Sequence, residues 1–437
     1  MNENIRYSFR VEEKTTEKEP EPDLITNEEK KSFIYFKLKL YFLLLGVGSL
    51  LPWNSMLTVM DFIKKYQEKY NPDTYYAFFK FLPNIILQSI FLFKKDLFSY
   101  KSLLIFSYTA SAFSLILFPV VVKYLDNLTG YIISIFIVVI LGLKSATCAY
   151  ALFGLVSFFP KDVIIITSTG QGFSGITMNF IEMIIKLFCK NDDLNAFILF
   201  GVGMFILWFN VFIIFNLYSK NIIFRKVATK IGIMKAPEFY DELEIRKIKM
   251  NNEKKNNFSF KSLSLKLLDI NILISYIYIV TFAVFPAISL KPDTIFKLDS
   301  SWTNNILVAV YNLFDIIGRY IINFTKPTKK KTYINVLSRT IFLITSPLCW
   351  ILFVRDNINS NFIYLFIIIN MSLLGFTNGT STALCYAIAP LLVSDELKGL
   401  AGSNVSFYNI FGIFLGTICA IGTVPLTEKI GNIKTNS

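Results

Sequence analysis

An all-α integral membrane protein, with about eleven transmembrane helices grouped six and then five, is the fold class this sequence predicts. Three observations predict it. Of 437 residues, 54% are hydrophobic and only 17% are charged, against about 25% charged in a typical soluble chain. The mean hydropathy is +0.51. Apolar stretches of about 20 residues recur along almost the whole chain, each long enough to cross a bilayer as a helix. They lack the period-two alternation of a membrane β-strand.

Taken in order, the stretches predict spans at roughly 36–57, 76–93, 102–122, 131–157, 163–187, 196–218, 268–290, 303–324, 333–354, 361–391 and 400–424. Residues 1–35 are polar and mixed in charge, so they read as a cytoplasmic N-terminal tail rather than a signal peptide. Residues 36–218 form the six-helix half. Residues 219–267, rich in Lys, Glu and Asn, form one long cytoplasmic loop, either a regulated segment or a tether. Residues 268–424 form the five-helix half, and 425–437 an extracytoplasmic C-terminal tail.

The net charge of +13 would raise nucleic acid as a partner in a soluble chain. Here Lys and Arg gather in the 219–267 loop, at Lys94, Lys95 and Lys101, and at Lys326, Lys329, Lys330 and Lys331. All of these fall on one side, which the positive-inside rule makes cytoplasmic. Net basicity is therefore mainly topology; the lipid bilayer is the expected partner and nucleic acid is not. The five cysteines show no CxxC spacing, so neither a zinc site nor a disulfide framework is expected. With no histidine in the chain, histidine catalysis and histidine metal ligation are excluded. A phosphate-binding GxxxxGK[ST] motif is also absent, which argues against an ATP-driven pump. No cofactor, no metal and no enzymatic activity are expected.

An ionisable residue at membrane depth is costly unless it is paired or faces water, so by default it marks a transport path. Asp315 and Arg319 are four apart and share one helix face, with the acid on the N-terminal side. They form either a structural ion pair or a polar clamp, because Arg offers fixed donors and Asp acceptors that suit vicinal hydroxyls. Asn312 lies on the same face. Trp53 offers a flat wall for an aromatic ring, or is an interfacial belt residue. Its neighbour Asn54 needs a partner if buried, and Trp53, Asn54, Asp315 and Arg319 are the candidate substrate-binding residues. Lys144 sits mid-span with no local acid, and either pairs with Asp315 across the bundle or lines the pathway. Glu182 pairs with Lys186 one turn on. Arg339, near the inner end of its span, snorkels or joins a cytoplasmic gate. Candidate pathway or gate residues are thus Lys144, Asn312, Arg339 and Asn378. Leu51-Pro52-Trp53 and Phe285-Pro286-Ala287 sit at similar depth in the two halves, as Pro-broken helices flanking a substrate site often do.

Residues Gly170-Gln171-Gly172-Phe173-Ser174-Gly175 spell GxGxxG, with Asp192 about twenty residues on, as in a dinucleotide fingerprint. The surrounding spans leave no βαβ unit for it, and the expected role is close helix packing through small residues. Gly412 and Gly416 look like the same device.

The ordered set of these residues resembles the equilibrative nucleoside transporter family. It runs from Leu51-Pro52-Trp53-Asn54 through Leu152-Phe153-Gly154-Leu155 and Pro160 to Gly170-Gln171-Gly172 and Gly175. In the second half come Phe285-Pro286-Ala287, Asn312-Leu313-Phe314-Asp315, Gly318-Arg319, Arg339 with Pro347, Phe376-Thr377-Asn378-Gly379, Pro390 and Gly399-Leu400-Ala401-Gly402. The resemblance implies a bundle similar to the major facilitator fold, working by alternating access. It also implies that Trp53 contacts the nucleobase and that Asp315 and Arg319 engage the ribose. The chain departs from the family in span 4, where Ala149 stands at the place of a base-contacting Gln. Heavy use of Lys, Asn, Ile and Phe suggests an A+T-rich genome and fits an apicomplexan-like member, for which purine salvage at the plasma membrane is the expected role. Alternatives are a transporter of another polar solute on the same fold, or a membrane receptor or scaffold that has lost transport.

Overall fold

The computed structural model describes residues 23–70, 72–93, 98–189, 191–230, 234, 260–289, 300–326, 328–355 and 360–432. Most of the 219–267 loop and the end of the C-terminal tail lie outside these residues. The helices are α1 Asp23–Thr58, α2 Met60–Gln67, α3 Pro72–Phe93, α4 Tyr100–Tyr124, α5 Asn127–Val156, α6 Lys161–Phe188, α7 Asp192–Lys220 and α8 Ile222–Lys230. They continue with α9 Phe260–Lys266, α10 Leu268–Val284, α11 Ser300–Ile321, α12 Lys329–Ser338, α13 Phe342–Arg355, α14 Ser360–Ile388 and α15 Lys398–Asn432. No strand occurs among the described residues.

Local sequence signals set several of these boundaries. The Ser99 hydroxyl caps α4 by accepting from Ser102 N (3.2 Å), and Asn191 Oδ1 caps α7 by accepting from Asp193 N and Leu194 N. Such oxygens satisfy amides that have no partner within the helix. At Pro52 the outcome differs from the expected break. Helix α1 runs through it to Thr58, whereas α10 ends at Val284 and Pro286 follows in a turn. Proline costs a helix interior about 3 kcal/mol, but α1 packs along α6 and α7, and these tertiary contacts hold the helix together. The two prolines therefore do not break matching helices.

Nine helical segments among the described residues are long and apolar enough to cross a bilayer. Helix α10 is apolar but shorter, and α6 is long but more polar. The polarity of α6 has a packing cause. It is surrounded by α1, α7, α11 and α14, and Thr167, Ser168, Thr169, Gln171, Ser174 and Asn179 are all buried. Thr167 and Thr169 return their hydroxyl protons to the carbonyls of Val163 and Ile165. The lipid-facing helices show the reverse pattern: Phe205 and Phe212 on α7 and Phe113 on α4 are more than half exposed.

Helices α1 and α3–α7 pack together, as do α10–α15. The two groups meet where α6 lies on α11 and where α15 lies on α3 and α5. At one end of this seam the Lys161 ammonium donates to the carbonyls of Ile322 (3.0 Å) and Thr325 (2.6 Å). Phe153 stacks on Tyr386 there, with centroids 4.1 Å apart. Glycines let backbones touch elsewhere. A Cβ on Gly170 would strike the Leu43 carbonyl of α1, and one on Gly175 would strike Asn312 of α11. Gly412 and Gly416 do the same for α15 against α10. The GxGxxG segment is thus a helix-packing surface inside α6, as its membrane setting predicts.

Candidate functional site

Between the two groups of helices lies a cavity with about 130 Å³ open to the centres of water-sized spheres, roughly ten times what one water requires. Trp53 and Asn54 reach it from α1, Ser145 and Ala149 from α5, and Gln171 and Gly172 from α6. From the other group come Tyr311, Asn312, Asp315 and Arg319 on α11, Asn378 on α14 and Asn409 on α15.

Asp315 and Arg319 form a buried ion pair one helical turn apart, with Arg319 Nε donating to Asp315 Oδ2 at 2.7 Å. Each is 4% exposed. Arg319 Nη1 also donates across the seam to the Ser168 hydroxyl (2.6 Å) and carbonyl (3.1 Å) on α6. Asn378 Nδ2 donates to Asp315 Oδ1 at 2.8 Å. A carboxylate has about four acceptor sites, so Asp315 retains acceptor capacity on Oδ2 for a hydroxyl entering from the cavity. Gly172 makes this geometry fit, because a Cβ there would lie 3.0 Å from Asp315 Oδ2.

The network continues beyond the cavity wall. Thr281 on α10 donates to Asn378 Oδ1 (2.9 Å) and accepts from Arg339 Nη2 (2.6 Å). Arg339 Nη1 donates to the Thr377 hydroxyl (2.6 Å) and the Leu374 carbonyl (3.2 Å). Arg339 is fully buried in the 3₁₀ turn Arg339–Ile341 between α12 and α13. It does not snorkel: the guanidinium turns inward and braces Asn378, which braces Asp315. Asn312 Nδ2 donates to Asn179 Oδ1 on α6 at 3.1 Å, a second tie across the seam. Asn54 Nδ2 finds its partner in the Ser174 hydroxyl of α6 at 2.8 Å.

Lys144 does not pair with Asp315, the first of its two sequence expectations. Asp315 is already paired with Arg319, and Lys144 has no carboxylate within ion-pair distance among the described residues. It is buried but is not part of the cavity wall, where its neighbours Ser145, Cys148 and Ala149 stand. Its carbonyl accepts from Ser107 of α4 and Thr147. Glu182 does pair with Lys186, at 2.8 Å.

Lys80 escaped the sequence reading. It is 3% exposed and lines the cavity, with its ammonium 4.2 Å from the Trp53 ring centroid and 4.4 Å from that of Phe81. Phe81 also meets Trp53 edge-on at 5.6 Å. The only available signal was a lysine five residues into an apolar span, a position where snorkelling is the ordinary assumption. Gln171 was hidden within the glycine motif; it lines the cavity and donates to Ser49 on α1 at 3.3 Å.

The family model described as "Nucleoside transporter" matches residues 134–423, more than half of the chain. The chain belongs to the nucleoside transporter family. Among curated proteins it is 26% identical to equilibrative nucleotide transporter 7 of Arabidopsis thaliana over 403 residues, covering 85% of this chain and 91% of that protein. It is 23% identical to equilibrative nucleoside transporter 1 of Homo sapiens over 321 residues, covering 67% and 69%. Among solved structures, the major facilitator superfamily proton:xylose symporter XylE bound to 6-bromo-6-deoxy-D-glucose aligns with a TM-score of 0.64 at 11% identity, covering 91% of this chain and 90% of that one. A partially occluded inward open form of the E. coli xylose transporter gives 0.57 at 10% identity, covering 90% and 98%. At such low identity the likeness establishes the fold, which is that of the major facilitators. This nucleoside transporter family member is a multi-pass integral membrane protein whose family and fold are those of a transporter and not of an enzyme.

Proposed function

We propose that the protein carries nucleosides or nucleobases, purines foremost, down their gradients by alternating access, with the substrate held in the central cavity. The observation that carries this reading is the Asp315–Arg319 pair facing the same cavity as Trp53. In this reading Asp315 and Arg319 take the ribose hydroxyls as acceptor and donor. Trp53 forms the apolar wall beside the base, and Asn54 supports that wall through Ser174. The halves 36–218 and 268–424 rock about the seam, and the Lys161 contacts to the carbonyls of Ile322 and Thr325 form and break as they move. Asn378 on the cavity wall holds Asp315, Arg339 braces Asn378 through Thr281 from behind, and Asn312 ties α11 to Asn179 of α6. The N-terminus is cytoplasmic, the C-terminus is outside, and the plasma membrane is the site of purine uptake.

The test is uptake of labelled adenosine by purified protein in liposomes, competed with inosine, uridine, adenine and glucose. Saturable uptake blocked by nucleosides and not by glucose is the expected result. No competition by any nucleoside, from folded protein, would overturn the reading in favour of another solute or a non-transporting role.

Trp53→Ala is expected to raise the half-saturating concentrations of all aromatic-base substrates together, by about 5- to 150-fold, since base stacking is worth about 1–3 kcal/mol. An unchanged concentration dependence would assign Trp53 to helix packing against Phe81 alone.

A further inference from the structure

Lys80 is a buried cation without an anion. No carboxylate lies within ion-pair distance of it among the described residues. The one carboxylate on the cavity wall, Asp315, is held by Arg319 and Asn378. Among the described residues, two basic groups, Lys80 and Arg319, thus face one acid on the cavity wall. The faces of Trp53 and Phe81 offset part of the cost of burial, but a cation–π contact supplies no lone pair in the ring plane and recovers less than desolvation of an ion costs. The ammonium has three donors and no acceptor. What would complete it is a hydrogen-bond acceptor brought in by the substrate.

The position is also built to be rigid. A Cβ on Gly142 of α5 would strike the Lys80 carbonyl and come within 3.0 Å of the Pro83 ring. The backbones of α3 and α5 therefore touch at the residue that carries the ammonium. Such close contact fixes the main chain from which the Lys80 side chain starts.

We propose that Lys80 is a specificity-determining residue for the base: its ammonium, seated on Trp53, donates to a carbonyl oxygen on the base edge. The site then holds oxo-bases more tightly than amino-bases of the same shape, because an amino group brings a second donor to a donor. This rests on the nucleoside reading above. A base carbonyl fits better than a phosphate group. A phosphate is usually met by several donors, such as a bidentate Arg or a helix N-terminus. Here Lys80 stands beside aromatic rings, and Arg319 is already engaged by Asp315 and Ser168.

The experiment compares wild type, Lys80→Met and Lys80→Arg in liposomes. Competition constants are measured for inosine and hypoxanthine, for adenosine and adenine, for purine riboside with no 6-substituent, and for inosine monophosphate. Lys80→Met should weaken inosine and hypoxanthine by about 10-fold or more, the worth of a charge-assisted hydrogen bond. Purine riboside and adenosine should move much less, and Lys80→Arg should keep most of the preference. Thermal stability of Lys80→Met should be equal or higher, because it removes an uncompensated charge at nearly the same volume. A uniform loss across the panel, no change in the oxo-to-amino ratio, or a loss confined to the monophosphate would each overturn the proposal. A wild type that carries nucleosides while Lys80→Met keeps its ratio sinks this assignment alone. A wild type that carries none sinks the nucleoside reading, and this one with it.

Discussion

Arg319→Ala is expected to cut nucleoside uptake by about 100-fold or more while the protein still reaches the membrane, because on the proposed reading it deletes charge-assisted contacts to substrate. The substitution also strips Asp315 of its counter-ion and α6 of the bonds through Ser168. Removing one partner of a buried pair costs about 3–5 kcal/mol, since the other charge is left behind. Lost uptake could therefore reflect either chemistry or stability, and a second variant separates them. Replacing both partners, as Asp315→Leu with Arg319→Met, removes the stranded charge and should restore thermal stability to near wild type. If the pair is a substrate clamp, this double variant is stable and still transports nothing. If the pair is only a structural brace, uptake returns with stability, and the clamp reading fails.

The parts of this molecule that were legible in the sequence are those with short-range causes. The four-residue spacing of Asp315 and Arg319 puts them one turn apart whatever surrounds them, and the structure pairs them at 2.7 Å. The same holds for Glu182 and Lys186. Small residues at Gly170, Gly175, Gly412 and Gly416 marked close helix contacts because nothing else in a membrane helix favours glycine so often. What the sequence did not reveal depends on distant neighbours. Ser168 meets Arg319 from 151 residues away, and Asn378 meets Asp315 from 63. Lys80 looks from its span position like a residue that would reach for the headgroups, yet packing against Trp53 and Phe81 turns it into the cavity. Lys144 looked like a partner for Asp315, but Arg319, one helical turn away, takes that place. Pro52 looked like a break, and contacts along α6 carry the helix past it. Hydropathy alone also underrates α6, whose polar residues are compatible with the membrane because other helices shield them from lipid.

These long-range bonds give the site a particular mechanical character. Arg339, Thr281, Asn378, Asp315, Arg319 and Ser168 form one continuous chain of hydrogen bonds running from α13's entry turn to α6. Only its last link crosses between the two helical groups. On the proposed reading, a substrate hydroxyl engaging Asp315 or Arg319 would act where the two groups of helices meet, on a braced pair and not on free side chains.

The last expected result concerns how that chain is kept in register. Gly379→Ala should lower thermal stability by about 1–3 kcal/mol, the usual cost of forcing extra volume into a packed interior, and Gly379→Val should largely prevent recovery of folded protein. A Cβ at Gly379 would run into the Asp315 carbonyl oxygen and lie 2.8 Å from its carbon and 2.9 Å from Arg319 N. Gly318 and Gly375 make matching contacts with Phe376 and Tyr311, so α11 and α14 touch backbone to backbone at three points. Asn378 reaches Asp315 only because its neighbour has no side chain. Gly379→Ala should consequently lose transport out of proportion to its stability loss, by lengthening the 2.8 Å bond from Asn378 to Asp315. The comparison is Gly201→Ala on α7, where an added Cβ meets nothing within 4 Å and stability and uptake should both hold. Equal effects of the two substitutions, read by thermal unfolding and uptake on the same preparations, would mean that the α11–α14 contact does not position the Asp315–Arg319 pair.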